Sequence, residues 1–288
     1  MVRRLLCLFL VMLALGTARG VLAEQRAKYV IIISIDGGKP AVILQSQMPT
    51  LIRLTQYGSY TWEAQTISPS ITLPSHTSMI TGVGPEKHKV NWNDWRPKRG
   101  IISSPTALFI AHQKGLHTAM FAGKEKFKHL WQVGSLDYAE IPAYEAIKVA
   151  THAAKYIIEH KPNLCFIHFS DPDGAGHKNG WGSPQQIQAF ANCDAALKLI
   201  LNALKTAGIA EESVIMVSAD HGGHAKTHGT KMPEDMNIPW VVWGGNAKQG
   251  FRITEPVTTY DTAATALWLL DIPIPSNWDG KPVKSAFP

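Results

Sequence analysis

Residues 29–38 read YVIIISIDGG, seven mostly apolar and β-branched residues followed by an aspartate and two glycines. A run with almost no polar alternation suits a parallel strand buried on both faces, and the glycines end it in a turn. The reading is a strand over 29–35 that leaves Asp36 at its carboxyl end. The pattern recurs twice. A strand over 163–169 runs into CFIHFSDPDGAGH (165–177) and leaves Asp171 and Asp173 beyond it. A strand over 213–219 runs into SADHGGHAKTHG (218–229) and leaves Asp220 and His221. A fourth short strand is expected over 238–243. Amphipathic segments lie between these runs. Helices are expected over 142–160, over 185–204 with Ile187, Phe190, Leu197, Leu201 and Leu204 at helical spacing, and over 259–270. Strand and helix in alternation predict an α/β fold, a mostly parallel central sheet with helices on both faces. With no internal repeat or low-complexity linker, residues 24–288 read as a single domain.

The composition fits a folded enzyme-sized chain: 288 residues, 45% hydrophobic and 17% charged. Residues 1–23 read as a signal peptide, with a basic MVRR start, an apolar LLCLFLVMLALG stretch and a small-residue site ending at Ala23. The apolar stretch is short for a membrane span, and no second candidate span follows. Removal of Arg3, Arg4 and Arg19 takes the basic residues from 28 to 25 against 22 acids, and the net charge from +6 to +3. That balance is too mild for a nucleic-acid scaffold. A periplasmic or secreted location follows from the leader. Cys165 and Cys193 remain after cleavage and read as two buried thiols, in a compartment that permits disulfides.

In open α/β sheets, ligands sit beyond the carboxyl ends of the strands. If the three Asp-terminated strands are neighbours, their carboxylates crowd one edge and repel. A bound divalent cation is the simplest compensation. Asp36, Asp173, His177, Asp220, His221 and His228 are the candidate ligands, with His224 a possible substitute for His228. Asp173 and His177 flank two glycines and are expected on a loop that folds both onto one ion. Mixed Asp and His favours zinc, with manganese or iron as alternatives. Six ligands exceed the three protein ligands of one catalytic zinc, so two ions are expected, a pair suited to in-line displacement at phosphorus. His168, inside a strand, is read as structural. Asp194, on the apolar face of its helix, is left without a role.

The stretch SPSITLPSHTSMITG (68–82) reads as a loop entering a helix. Pro74 suits a first turn, and Thr72 falls just before the expected helix start, where free backbone N–H groups favour an anion. Thr72 is either a cap or a nucleophile activated by a metal; this stretch alone does not choose.

Together these motifs resemble the alkaline phosphatase superfamily, in particular its nucleotide pyrophosphatase/phosphodiesterase (type I phosphodiesterase-like) branch and the phosphonoacetate hydrolases. The resemblance runs from Tyr29 to the end of the chain. It rests on Asp36 in SIDGG, on Thr72-Leu-Pro-Ser-His76 with Thr81-Gly82 and Pro85 to His88 after it, on Pro172-Asp173-Gly-Ala-Gly-His177, on Asp220-His221-Gly222 and on His228-Gly229. It implies an alkaline phosphatase-like fold and an exported hydrolase of small phosphate esters, of diester or pyrophosphate bonds first, acting through a phospho-threonine. Thr72 would be the nucleophile, and Asn93 would bind a phosphate oxygen. One zinc would take Asp173, His177 and His228. The other would take Asp36, Asp220 and His221, with Thr72 bridging towards it.

The chain departs from the family where HKV (88–90) replaces the common His-Gly-Ile, and little sequence between Asn93 and Asn163 remains for a large cap. FAGKEKFKHL (121–130) reads as a solvated basic loop. The alternative is taken from the phosphonoacetate hydrolases, which resemble it with a Lys-x-Lys that holds a substrate carboxylate. Lys124 and Lys126 would then bind substrate. Phosphomonoester and phosphonate hydrolysis remain alternatives, as does a non-catalytic metal or phosphate binder. A sulfatase is disfavoured because Thr72 and His76 stand where that group carries Cys or Ser and Arg. A phosphomutase is disfavoured by the export signal. Oligomeric state is not read from the sequence.

Overall fold

A computed structural model describes residues 26–288; the expected signal peptide lies outside the described residues. Eight strands occur in chain order: β1 (Tyr29–Ile35), β2 (Ser59–Gln65), β3 (Thr118–Phe121), β4 (Tyr138–Glu140), β5 (Leu164–Phe169), β6 (Ser213–Ser218), β7 (Asn237–Gly244) and β8 (Phe251–Arg252). They form one sheet in the order β4-β3-β5-β1-β6-β7-β2-β8. Only β7 runs against the others, antiparallel to both β6 and β2. The expected mostly parallel sheet is therefore observed. The three Asp-terminated strands are neighbours, with β1 parallel to β5 on one side and to β6 on the other.

Burial on both faces explains the apolar runs. Every residue of β1, β5 and β6 is buried. Val30 and Ile32 enter one core, with Leu73, Met79 and Ile80 of the helix Thr72–Thr81 and Ala263, Ala266 and Leu267 of the helix Asp261–Leu269. Ile31, Ile33 and Ile35 enter the other, with Val149, Ala153 and Ile157 of the helix Ala146–His160 and Phe190, Leu197 and Ile200 of the helix Pro184–Thr206. Each such isoleucine contributes roughly 1.5–3 kcal/mol relative to exposure, so a one-residue slip of β1 would be strongly opposed.

The expected helices over 142–160, 185–204 and 259–270 are these last three, with ends displaced by a few residues. Pro239 sits inside β7 and lacks a donor, yet β7 is not an edge strand. The pairing with β2 shifts register between Thr61 and Ala64, opposite Pro239, so the irregularity falls where no ladder bond can form. Asp194 has a structural role: its carboxylate accepts from the N–H groups of Thr50 (3.0 Å) and Leu51 (2.9 Å), capping the helix Pro49–Gln56. Cys165 and Cys193 are buried free thiols.

Candidate metal centre

Asp36 follows β1 directly, Asp173 lies four residues past β5, and Asp220 and His221 lie just past β6. Adjacent parallel strands therefore bring all four to one sheet edge. Gly37 makes this convergence possible: a Cβ there would stand 3.0 Å from Asp173 Cα, and its φ of +72° is one that L side chains rarely adopt. One expectation is corrected. Asp173 and His177 lie not on a loop but in a helix, Asp171–Asn179, at i and i+4. Gly174 and Gly176 are poor helix formers. Added Cβ atoms there would collide with Tyr144 and with Gln186 and Trp181, so tertiary packing requires the glycines and overrides propensity.

Each of the three carboxylates commits one oxygen to the protein and leaves the other without a hydrogen-bond partner. Asp36 Oδ2 accepts from His168 Nε2 (2.9 Å) and pairs with Lys124 Nζ (2.7 Å). Asp173 Oδ2 accepts from Lys124 Nζ (2.5 Å). Asp220 Oδ1 accepts from the N–H groups of Gly37 (3.1 Å) and His221 (3.0 Å). Asp36 Oδ1, Asp173 Oδ1 and Asp220 Oδ2 are buried and unpartnered.

Those three oxygens face imidazoles whose protonation is set from behind. The Nδ1 atoms of His221, His228 and His177 donate to the carbonyls of Gly222 (2.8 Å), Ser70 (2.8 Å) and Lys226 (2.9 Å). A carbonyl only accepts, so Nδ1 carries the proton and neutral Nε2 presents a lone pair. His221 Nε2 lies 3.5 Å from Asp36 Oδ1 and 3.2 Å from Asp220 Oδ2. His177 and His228 Nε2 lie 3.4 and 3.5 Å from Asp173 Oδ1, and 3.1 Å from each other. Lone pairs thus face lone pairs in two groups, an arrangement that cations relieve.

The ligand atoms of Asp36, Asp220 and His221 lie within 4.8 Å of one another, as do those of Asp173, His221 and His228. The first group is one expected set. In the second, His221 stands between the groups, and His177 is beside His228 at its open side. The Asp/His donors fit two divalent ions.

The electrostatics agree. Burial opposes ionisation of Asp36, but Lys124, then His168 and His221, hold its carboxyl well below the usual range. Burial and then the Asp36 charge push Asp173 up; the Lys124 ammonium outweighs them, and it too is lowered. Burial and then the Asp36 charge drive Asp220 well above the usual range. One ammonium does not compensate three carboxylates. Burial and then the proximity of His228 bring His221 down to about 4, which keeps its lone pair available.

Thr72 is buried, with its Oγ1 3.5 Å from His221 Nε2, beside the Asp36–Asp220–His221 group. It is the first residue of its helix rather than the residue before it. Asn93 is brought alongside, its Oδ1 accepting from the N–H of Leu73 (2.8 Å). This narrows the expected anion site. Leu73 N–H is taken and Pro74 has none, so the Thr72 N–H and Asn93 Nδ2 are the donors left. His76 anchors this turn: Ser34 Oγ donates to its Nε2 (2.8 Å), and its Nδ1 donates to the Thr72 carbonyl (2.8 Å).

His168 is structural, as read, and it holds a candidate ligand: Gly123 N–H donates to its Nδ1 (3.3 Å), so its Nε2 carries the proton given to Asp36. Two further expectations are revised. His224 is no substitute for His228: among the described residues its ring nitrogens fall in neither group of converging ligand atoms, and its Nδ1 pairs instead with Asp235 Oδ1 (2.7 Å). The segment 121–130 is not a solvated loop. Lys124 is only 13% exposed, held by Asp36 and Asp173. Lys126 is partly buried, its pKa lowered by burial and then by Lys124. No sequence signal marked His168 or the Lys124 contacts, since their partners are distant in the chain.

Comparison with known proteins places this geometry. The chain is 23% identical over 264 residues to mouse ectonucleotide pyrophosphatase/phosphodiesterase family member 1, covering 83% of this chain and 29% of that protein. It is 24% identical over 237 residues to human family member 5, covering 76% of this chain and 49% of that protein. The chain thus spans less than half the length of these curated relatives. Among solved structures, an inactive form of the murine family member 5 in complex with AMP superposes with a TM-score of 0.76 at 14% identity, over 91% of this chain and 100% of that one. The fold is therefore the alkaline phosphatase-like one expected. The model of the type I phosphodiesterase / nucleotide pyrophosphatase family matches residues 30–231, and the chain belongs to that family.

Proposed function

We propose that the chain is an exported two-metal hydrolase of phosphodiester or pyrophosphate bonds in small phosphate esters, working through a phospho-threonine at Thr72. The carrying observation is the placement of Thr72 Oγ1 beside His221 Nε2, where unpartnered carboxylate oxygens converge. Asp173, His177 and His228 would hold one ion, and Asp36, Asp220 and His221 the other, with Thr72 beside it. Zinc suits these donors, with manganese or iron as alternatives. Divalent ions held there would lower the pKa of the Thr72 hydroxyl and balance negative charge on the attacking and leaving oxygens.

The chain's own residues supply the rest. Thr72, held at the first position of its helix, would present Oγ1 for attack on phosphorus. The Oγ1–P bond forms, the bond from phosphorus to the leaving oxygen breaks, and that oxygen ends protonated. Water then attacks the phospho-threonine and restores the hydroxyl. Asn93 Nδ2 and the Thr72 N–H would donate to a non-bridging oxygen. Export rests on the leader at 1–23, and a periplasmic or secreted location follows from it, with 24–288 as one catalytic domain. Among the described residues no helix is long and apolar enough to cross a membrane.

The test is metal content together with hydrolysis of bis-p-nitrophenyl phosphate, p-nitrophenyl phosphate and p-nitrophenyl sulfate, with and without chelator. Two ions per chain and chelator-sensitive cleavage of the diester are expected. Preference for the monoester would reassign the substrate class, and metal without turnover would favour a binding protein.

A further inference from the structure

Among the described residues, Lys124 is the lysine that ion-pairs with the buried carboxylates. Its Nζ lies 2.7 Å from Asp36 Oδ2 and 2.5 Å from Asp173 Oδ2, one acid from each ligand group. Both contacts use the oxygen turned away from His177, His221 and His228, leaving Asp36 Oδ1 and Asp173 Oδ1 as the unpartnered pair. The lysine is therefore not in the place of an ion, and both can be present together. Its segment is anchored. Phe127, three residues on, packs its ring 4.8 Å from His76 and 4.3 Å from His168, and Gly123 N–H is bonded to His168. Lys126 has no ion pair of this kind among the described residues.

We infer that Lys124 is a built-in counter-ion that joins the two half-sites: a positioning residue that lets the acidic edge fold before metal arrives, rather than a contact to substrate. The inference builds on the metal reading above. Two opposing effects follow from removing the ammonium. The acids lose a partner that orients them, which weakens metal binding; they also lose a positive charge close to the ions, which strengthens it. Because the group is buried, where charge interactions are least screened, the second effect dominates. The largest loss then falls on the metal-free protein, whose two carboxylates are left buried and uncompensated.

The experiment is thermal unfolding of wild type and Lys124→Met, each in chelator and in saturating zinc, with bound zinc counted. In chelator, Lys124→Met is expected to melt lower than wild type by on the order of 10 °C. Zinc is expected to recover most of that gap, so it raises the Tm of the variant more than that of wild type. Lys124→Arg, which keeps the charge, should melt close to wild type in chelator, and Lys126→Met should not reproduce the loss. If Lys124→Met does not accumulate folded, Lys124→Gln, whose amide reaches one acid and not both, should show the same pattern at smaller size. Equal melting of wild type and the Met or Gln variant in chelator, or an equal zinc increment, overturns the inference. A raised KM with unchanged melting would make Lys124 a substrate contact instead. A wild type that binds no zinc removes the metal reading, and that result is separate from the chelator comparison.

Discussion

The two half-sites differ in depth and in how they are built. Asp36, Asp220 and His221 come straight off β1 and β6 and are fully buried, whereas His177 is 45% exposed, on a short helix beside the loop that carries His228. Strand ends in the middle of a sheet are held by ladder bonds on both sides. A surface helix and a loop are held by fewer contacts and open more readily. On the proposed reading, the inner group would hold its ion firmly beside Thr72. The outer group, on the same reading, would exchange its ion more readily.

That contrast is most sharply tested at Thr72. Thr72→Ala should reduce turnover by roughly a thousandfold or more while leaving two ions bound; substantial turnover in this variant would remove the nucleophile. Asn93→Ala should lower kcat/KM by about 10²–10³, again with metal content intact, since Asn93 touches Leu73 and no candidate ligand. His177→Ala should weaken one of the two ions by more than about tenfold and leave the other unchanged, with activity recovered at high zinc. Loss of both ions together would erase the distinction between inner and outer groups. In a chelator titration of wild type, the outer ion should leave first, read as two separated steps. Asp194→Ala, at a carboxylate that is bonded to Thr50 and Leu51 and to no candidate ligand, should cost about 1 kcal/mol of stability through the lost cap and change neither metal content nor KM.

The legible part of this protein is what neighbours in sequence decide. A strand buried on both faces is apolar at nearly every position, so YVIIISI, LCFIHF and SVIMVS announce themselves, and an acid one or two residues past each is visible as an exception. The short strands β3, β4 and β8 escaped because two to four residues carry too little pattern. So did β2, whose burial is irregular around its bulge. The helix over 171–179 escaped because its glycines are explained only by Tyr144, Trp181 and Gln186 packing against it. Of the candidate ligands, all six converge, but their division was not readable from spacing: His221 lies between the two groups and His177 at the rim.

The parallel α/β class, the three acid-tipped strands and a helix beginning within a residue of Thr72 were all legible in the sequence, because each follows from local periodicity and turn chemistry. Tertiary structure alone decided that β5, β1 and β6 are adjacent, that β7 is reversed, that His168 and Lys124 hold Asp36, and that His228 rather than His224 faces Asp173. The physical reason is distance along the chain. Asp36 and His168 are 132 residues apart, and charges and hydrogen bonds act through space, where no short pattern of residues records them.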